Sequence, residues 1–146
     1  MRHTKVLALF DGEDASDARL AVYFAQLKRV VDPDRVAQLH LAYLCPLPAF
    51  LRPDSIIAEG IKRRSISDLT AERVTRIERQ LGEHFPNLVT SAGAEFGDID
   101  ARIADLSIAA AFHQLIVPGA TRAKALRGRV NCDVVELPDT DSDENP

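Results

Sequence analysis

The chain opens on a continuous apolar run, Val6-Leu7-Ala8-Leu9-Phe10, cut off by Asp11-Gly12. An unbroken run of this length marks a strand buried on both faces, the kind found at the centre of a parallel sheet. The rhythm then changes. Leu20, Phe24, Leu27 and Val31 recur at i, i+4, i+7 and i+11 behind Ser16 or Asp17, either of which can cap a helix, and Asp32-Pro33-Asp34 stops it. Val36 to Leu44 returns to a strand rhythm, with Leu39, Leu41 and Tyr43 on one face and His40, Ala42 and Leu44 on the other.

From Cys45 to about Ile61 the prolines Pro46, Pro48 and Pro53 break any period, which predicts a long loop with room for one helical turn. Ser67 or Asp68 is the expected cap of the next helix. Its inward stripe is Thr70, Val74, Ile77 and Leu81, with Glu72, Arg73, Arg76, Glu78 and Arg79 in water and Gly82 to Pro86 as its close. Leu88 to Phe96 predicts a weaker strand. Gly97-Asp98 then supplies the turn and cap for a helix carrying Ile99, Ile103, Leu106 and Ala110. Leu115-Ile116-Val117 is a short buried strand halted by Pro118-Gly119, and Cys132 to Leu137 is a last strand containing Val134 and Val135.

Strands that alternate with helices need crossover connections, which are almost always right-handed and set helices on both faces of a parallel sheet. The expected fold class is therefore α/β and doubly wound, with one domain over residues 1–138 and an acidic, disordered tail over 139–146.

Composition narrows the function classes. The chain has 146 residues, 46% of them hydrophobic and 27% charged, which suits one ordinary globular domain. A net charge of -4 argues against a surface built to neutralise nucleic-acid phosphates, and no apolar run is long enough to span a membrane. The five apolar residues after Lys5 fall short of a secretory signal, so the expected location is the cytoplasm. Cys45 and Cys132 lie too far apart for a CxxC motif and are expected to stay reduced and unpaired. His3, His40, His84 and His113 lack any metal-ligand spacing, so no metal is expected.

Taken in order, these segments resemble the universal stress protein family over most of the chain. Val6-Leu7-Ala8-Leu9-Phe10-Asp11-Gly12 is similar to the family's first strand and aspartate turn, and Leu39-His40-Leu41-Ala42-Tyr43 to its second strand. Gly97 followed by Ile99 resembles its glycine turn, Leu115-Ile116-Val117-Pro118-Gly119 its fourth strand and phosphate-loop glycine, and Cys132-Asp133-Val134-Val135 its closing strand. The resemblance implies a five-stranded sheet of order 3-2-1-4-5, adenine-nucleotide α-hydrolase-like. Its crevice would lie between Asp11 and Gly119, at the point where the strand order reverses.

Family members that hold ATP carry a second glycine three positions after the first, then about nine residues later a glycine followed by Ser or Thr, donors suited to phosphate. Here Arg122 stands at the second glycine's place. Gly128 comes early and is followed by Arg129. The segment from Gly119 to Cys132 is also short, with room for about two helical turns instead of a full fourth helix. A truncated helix would leave apolar surface beside the last strand.

Candidate ligand contacts are therefore Asp11, Gly119, Arg122, Lys124 and Gly128, with Arg127 and Arg129 adding charge for a phosphate-bearing ligand. Each has a plainer reading. Asp11 can stabilise its own turn, Pro118-Gly119 is common punctuation, and the cations can be solvated or paired with carboxylates. No GxSxG, Walker A or Cys–His arrangement points to catalysis. The expected function is a non-enzymatic stress-response or regulatory protein that acts through protein contacts, with ATP binding disfavoured, as a homodimer joined through Cys132 to Leu137. The alternative is a nucleotide or anion sensor with at most slow hydrolysis.

Overall fold

The computed structural model describes residues 4–11, 17–45, 56–96 and 98–137. Nine elements alternate: β1 (Thr4–Asp11), α1 (Asp17–Val30), β2 (Val36–Cys45), α2 (Ile56–His84), β3 (Val89–Phe96), α3 (Ile99–Ala109), β4 (Gln114–Pro118), α4 (Ala120–Arg127) and β5 (Asp133–Leu137). The strands form one parallel sheet in the order β3-β2-β1-β4-β5. The doubly wound sheet and its strand order are those expected from the sequence, while the tail, Gly12 and Gly97 lie outside the described residues.

Burial on both faces makes β1 the centre of the molecule. Val6, Ala8 and Phe10 join Leu20, Phe24 and Leu27 of α1 and Ile77 and Leu81 of α2 in one core layer. Leu7 and Leu9 join Ile99 and Ile103 of α3 and Ala123 and Leu126 of α4 in the other. Each of the Val, Leu, Ile and Phe side chains among them contributes about 1.5–3 kcal/mol through loss of contact with water, so the period-2 and period-3.6 patterns dictate which helix covers which face.

Two expectations are corrected. The second helix begins at Ile56 rather than near Ser67 or Asp68, which lie inside it. Ala58, Glu59, Lys62, Arg63 and Arg64 are strong helix formers, so propensity carries the helix through a stretch where no apolar stripe announces it. Nor does the short α4 leave the sheet bare beside β5. Ala123, Leu126 and Val130 are buried over that face, Val134 and Val135 are half-buried, and the large hydrophobics exposed among the described residues are Val22, Val89 and Ile108, none of them on β5.

Cys45 ends β2, whereas Cys132 precedes the start of β5, three strands away with β1 and β4 between. Three interstrand spacings amount to about 14 Å, well beyond the roughly 7 Å that a disulfide tolerates between Cα atoms. Cys132 is a free thiol, half-buried, and burial pushes its pKa up.

Candidate functional site

The pairing of β1 with β4 runs from Val6–Gln114 to Ala8–Ile116 and goes no further, although β1 continues to Asp11 and β4 to Pro118. The two strands part at their carboxyl ends, and this opening is the crevice of the reversed strand order. Extending the register sets Asp11 level with Gly119. Asp11 is exposed.

Beneath Asp11 the floor is aromatic and closed. Phe10 meets Tyr23 edge-on at 4.8 Å and stacks on Tyr43 at 6.1 Å. The Tyr23 hydroxyl donates to the Leu9 carbonyl at 2.6 Å, and complete burial raises its pKa far above the ordinary phenol value, so it stays protonated as the donor. Arg73 of α2 reaches the Tyr43 hydroxyl at 3.4 Å.

At the other wall, Gly119 is the N-cap of α4 with φ 90° and ψ 137°, a backbone shape that L side chains rarely adopt. A Cβ there would meet nothing within 4 Å, so it is conformation and not crowding that calls for glycine. Its N–H is already committed, donating to the Leu137 carbonyl of β5 at 3.2 Å, and its carbonyl accepts from Ala123. Arg122 is committed as well. Its Nε lies 3.4 Å from Oδ1 of Asp100 in the first turn of α3, both side chains about one-third exposed. That Oδ1 is shut off from water and takes no hydrogen bond among the described residues, which leaves Arg122 as its electrostatic partner.

The remaining candidates do not gather here. Gly128 caps the opposite end of α4 with an ordinary helical φ of -81°, a helix length of about 12 Å from Gly119. Ala123 and Leu126 fix the inward face of α4. At about 100° per residue, Lys124 then points some 200° away from Arg122. Lys124, Arg127 and Arg129 are exposed, and the first two sit in the last turn of α4, where cations favour the helix dipole. The basic run is thus a helix with its charges divided between two ends. Sequence reasoning missed Asp100 and Tyr23. The signal for Asp100 was an acid placed early in a helix, a pattern that explains itself through the dipole and so conceals a partner.

Among the described residues no cluster of His, Cys, Asp and Glu could hold a metal ion, and no helix is long and apolar enough to cross a membrane. No family model matches the sequence, and no curated protein matches it. Solved structures do match. A universal stress protein family protein from Arabidopsis thaliana with AMP bound aligns at TM-score 0.63 and 15% identity, covering 99% of this chain and 97% of that one. A member from Burkholderia pseudomallei aligns at TM-score 0.63 and 11% identity over 92% and 96%, and the universal stress protein UspA from Lactobacillus plantarum at TM-score 0.59 and 18% identity over 94% and 99%. The molecule belongs to the class of doubly wound α/β folds with a crevice at the strand-order reversal. More particularly, its fold is that of the universal stress proteins.

Proposed function

We propose that this chain is a stress-response or regulatory protein of the universal stress protein type, working through dimerisation and protein contacts without tight ATP binding. One observation carries the reading: the groups that would cradle a triphosphate are engaged within the chain or turned away from the crevice. The Gly119 N–H is held by Leu137, Arg122 faces Asp100, and Gly128 lies at the far end of α4. Calorimetry with ATP and with AMP tests it. No measurable heat for ATP is expected, and a micromolar dissociation constant would overturn the reading.

A second reading keeps a mononucleotide in the crevice. It is favoured by the parting of β1 and β4 beyond Ala8 and Ile116, and by the AMP held in the Arabidopsis structure of the same fold. Heat on addition of AMP but not ATP would select it, and steady phosphate release from ATP would instead mark slow hydrolysis.

The dimer is proposed through β5, the short strand that ends the sheet beyond β4 and so presents one side of its backbone unpaired by the sheet. Antiparallel pairing about a twofold axis would satisfy those groups, with Val134 and Val135 on opposite faces and Glu136 exposed, where it must avoid its own copy. Sedimentation at low micromolar concentration should find a dimer, and Val135→Pro, which removes a ladder donor, should weaken it. A wild-type monomer at every concentration would rule the interface out.

A further inference from the structure

On the face of the sheet covered by α3 and α4, strand positions along the carboxyl half are apolar and buried: Leu7, Leu9, Ala42 and Leu44. Along the amino half the same face turns polar, with Lys5 on β1, Gln38 and His40 on β2, and Ser91 on β3. The register makes them neighbours, Lys5 opposite Gln38 and His40 opposite Ser91. Four polar side chains share this face on adjoining strands, Lys5 and His40 half-buried and Gln38 and Ser91 exposed, so at this end the sheet lacks the helix cover usual in its class.

They face a cavity of about 250 Å³, walled on its other side by Leu106, Ala110 and Phe112 and open past Val89, which is 67% exposed. The polar groups are held in place. His40 Nδ1 lies 2.7 Å from Ser91 Oγ, and the His40 ring stacks on Phe112 at 6.3 Å. Lys5 Nζ donates to the Ala110 carbonyl and sits 5.5 Å from the centre of the Phe112 ring. Burial lowers the His40 pKa against the opposing pull of Glu95 and Glu78, so the imidazole is neutral at pH 7.

The cavity's charge is therefore one ammonium. Among the described residues no carboxylate lines it, in a chain whose net charge is -4. An ammonium has three donors, and the Ala110 carbonyl takes one. Beside it are the Gln38 amide and the apolar wall of Val89, Leu106 and Phe112. The volume lies just below the usual range of drug-sized sites, which suits a small molecule with one anionic end and one flat apolar body. An inorganic anion would leave the wall unused, and a nucleotide is too large.

We propose that this cavity is a binding site for a small aromatic carboxylate, its carboxylate at Lys5 and Gln38 and its ring against Val89, Leu106 and Phe112. The site lies at the amino end of the sheet, opposite the crevice between Asp11 and Gly119, and is independent of what that crevice holds.

Titrating the labelled protein with benzoate and following its amide signals tests this directly, with benzyl alcohol and acetate as the arms lacking the charge or the ring. Saturable shifts centred on Val89, Ser91, Ala110 and Phe112 are expected with benzoate. Binding should be weaker by about tenfold or more with either control, because a charge-assisted contact or the ring's burial is lost. Lys5→Met, which keeps the stem and removes the charge, should weaken benzoate by a similar factor, whereas Lys28→Met on α1 should not. No saturable shift, shifts centred on the crevice, or benzyl alcohol equal to benzoate would each overturn the proposal. The wild-type arms decide the matter even if Lys5→Met does not fold.

Discussion

Both ends of the sheet carry polar groups but treat them differently. At the carboxyl end the fold provides a crevice, yet the groups beside it are engaged inside the chain: Gly119 on Leu137, Arg122 on Asp100, and Tyr23 on Leu9. At the amino end Lys5, Gln38, His40 and Ser91 line an open cavity with donor capacity left over. A fold names the place where ligands are usually met, but the donors still uncommitted decide whether one can be held there.

The largest effect should come from Gly119→Ala. If Gly119 serves the backbone turn, the substitution costs about 2 kcal/mol through strain at positive φ, with no steric term because the space is open. Urea denaturation measures it. A neutral result would mean that the turn relaxes, and the crevice end would lose its claim to be structurally committed.

Arg122→Ala is the next test, expected to cost about 1 kcal/mol because the shielded Asp100 oxygen loses its partner. Adding Asp100→Ala should recover part of that loss, since removing both partners leaves no unsatisfied charge. An additive double variant would show that the pair contributes nothing. If Arg122 instead held phosphate, the single variant would alter nucleotide binding and leave stability unchanged.

The buried strands of the sheet were legible in the sequence because Val6 to Phe10 and Leu115 to Val117 are apolar without interruption, so burial on both faces follows directly, whereas their order came from the resemblance to the universal stress proteins. The Asp98 cap was legible too, and its side chain accepts from the Ala101 N–H at 3.4 Å. The early start of α2 was hidden, because helix formers between Ile56 and Arg64 carry no apolar stripe. The candidate site was legible only as a set of residues. The four cations of the basic run look like one patch in a string, but a helix divides them by angle and by end, and that division depends on Ala123 and Leu126 facing inward. Lys5, His40 and Ser91 could not be gathered from sequence, since their meeting depends on the register between three strands. His40 stood only as one position on the second face of a strand.

The smallest expected effect concerns pH and sharpens the amino end. The folded His40 pKa lies below the free value of 6.5, chiefly because half-burial disfavours the imidazolium, with Glu95 and Glu78 pulling the other way. Between that depressed value and 6.5 the unfolded chain binds more protons than the folded one, so stability rises with pH across this window. The contribution is fully present above pH 6.5 and is lost as pH falls toward the folded pKa. His84, lowered by burial and by Lys28, adds a slope of the same sign. The test is therefore a difference between wild type and His40→Gln, a substitution that still offers Ser91 a hydrogen-bonding partner. The thermal midpoint of wild type should fall more between pH 7.5 and pH 5.5 than that of the variant. A carboxylate seated beside Lys5 would favour the imidazolium and raise the His40 pKa, so saturating benzoate should reduce the difference. An identical pH slope in wild type and variant would remove His40 from the account of the amino end, and a difference that benzoate leaves untouched would place any bound carboxylate away from His40.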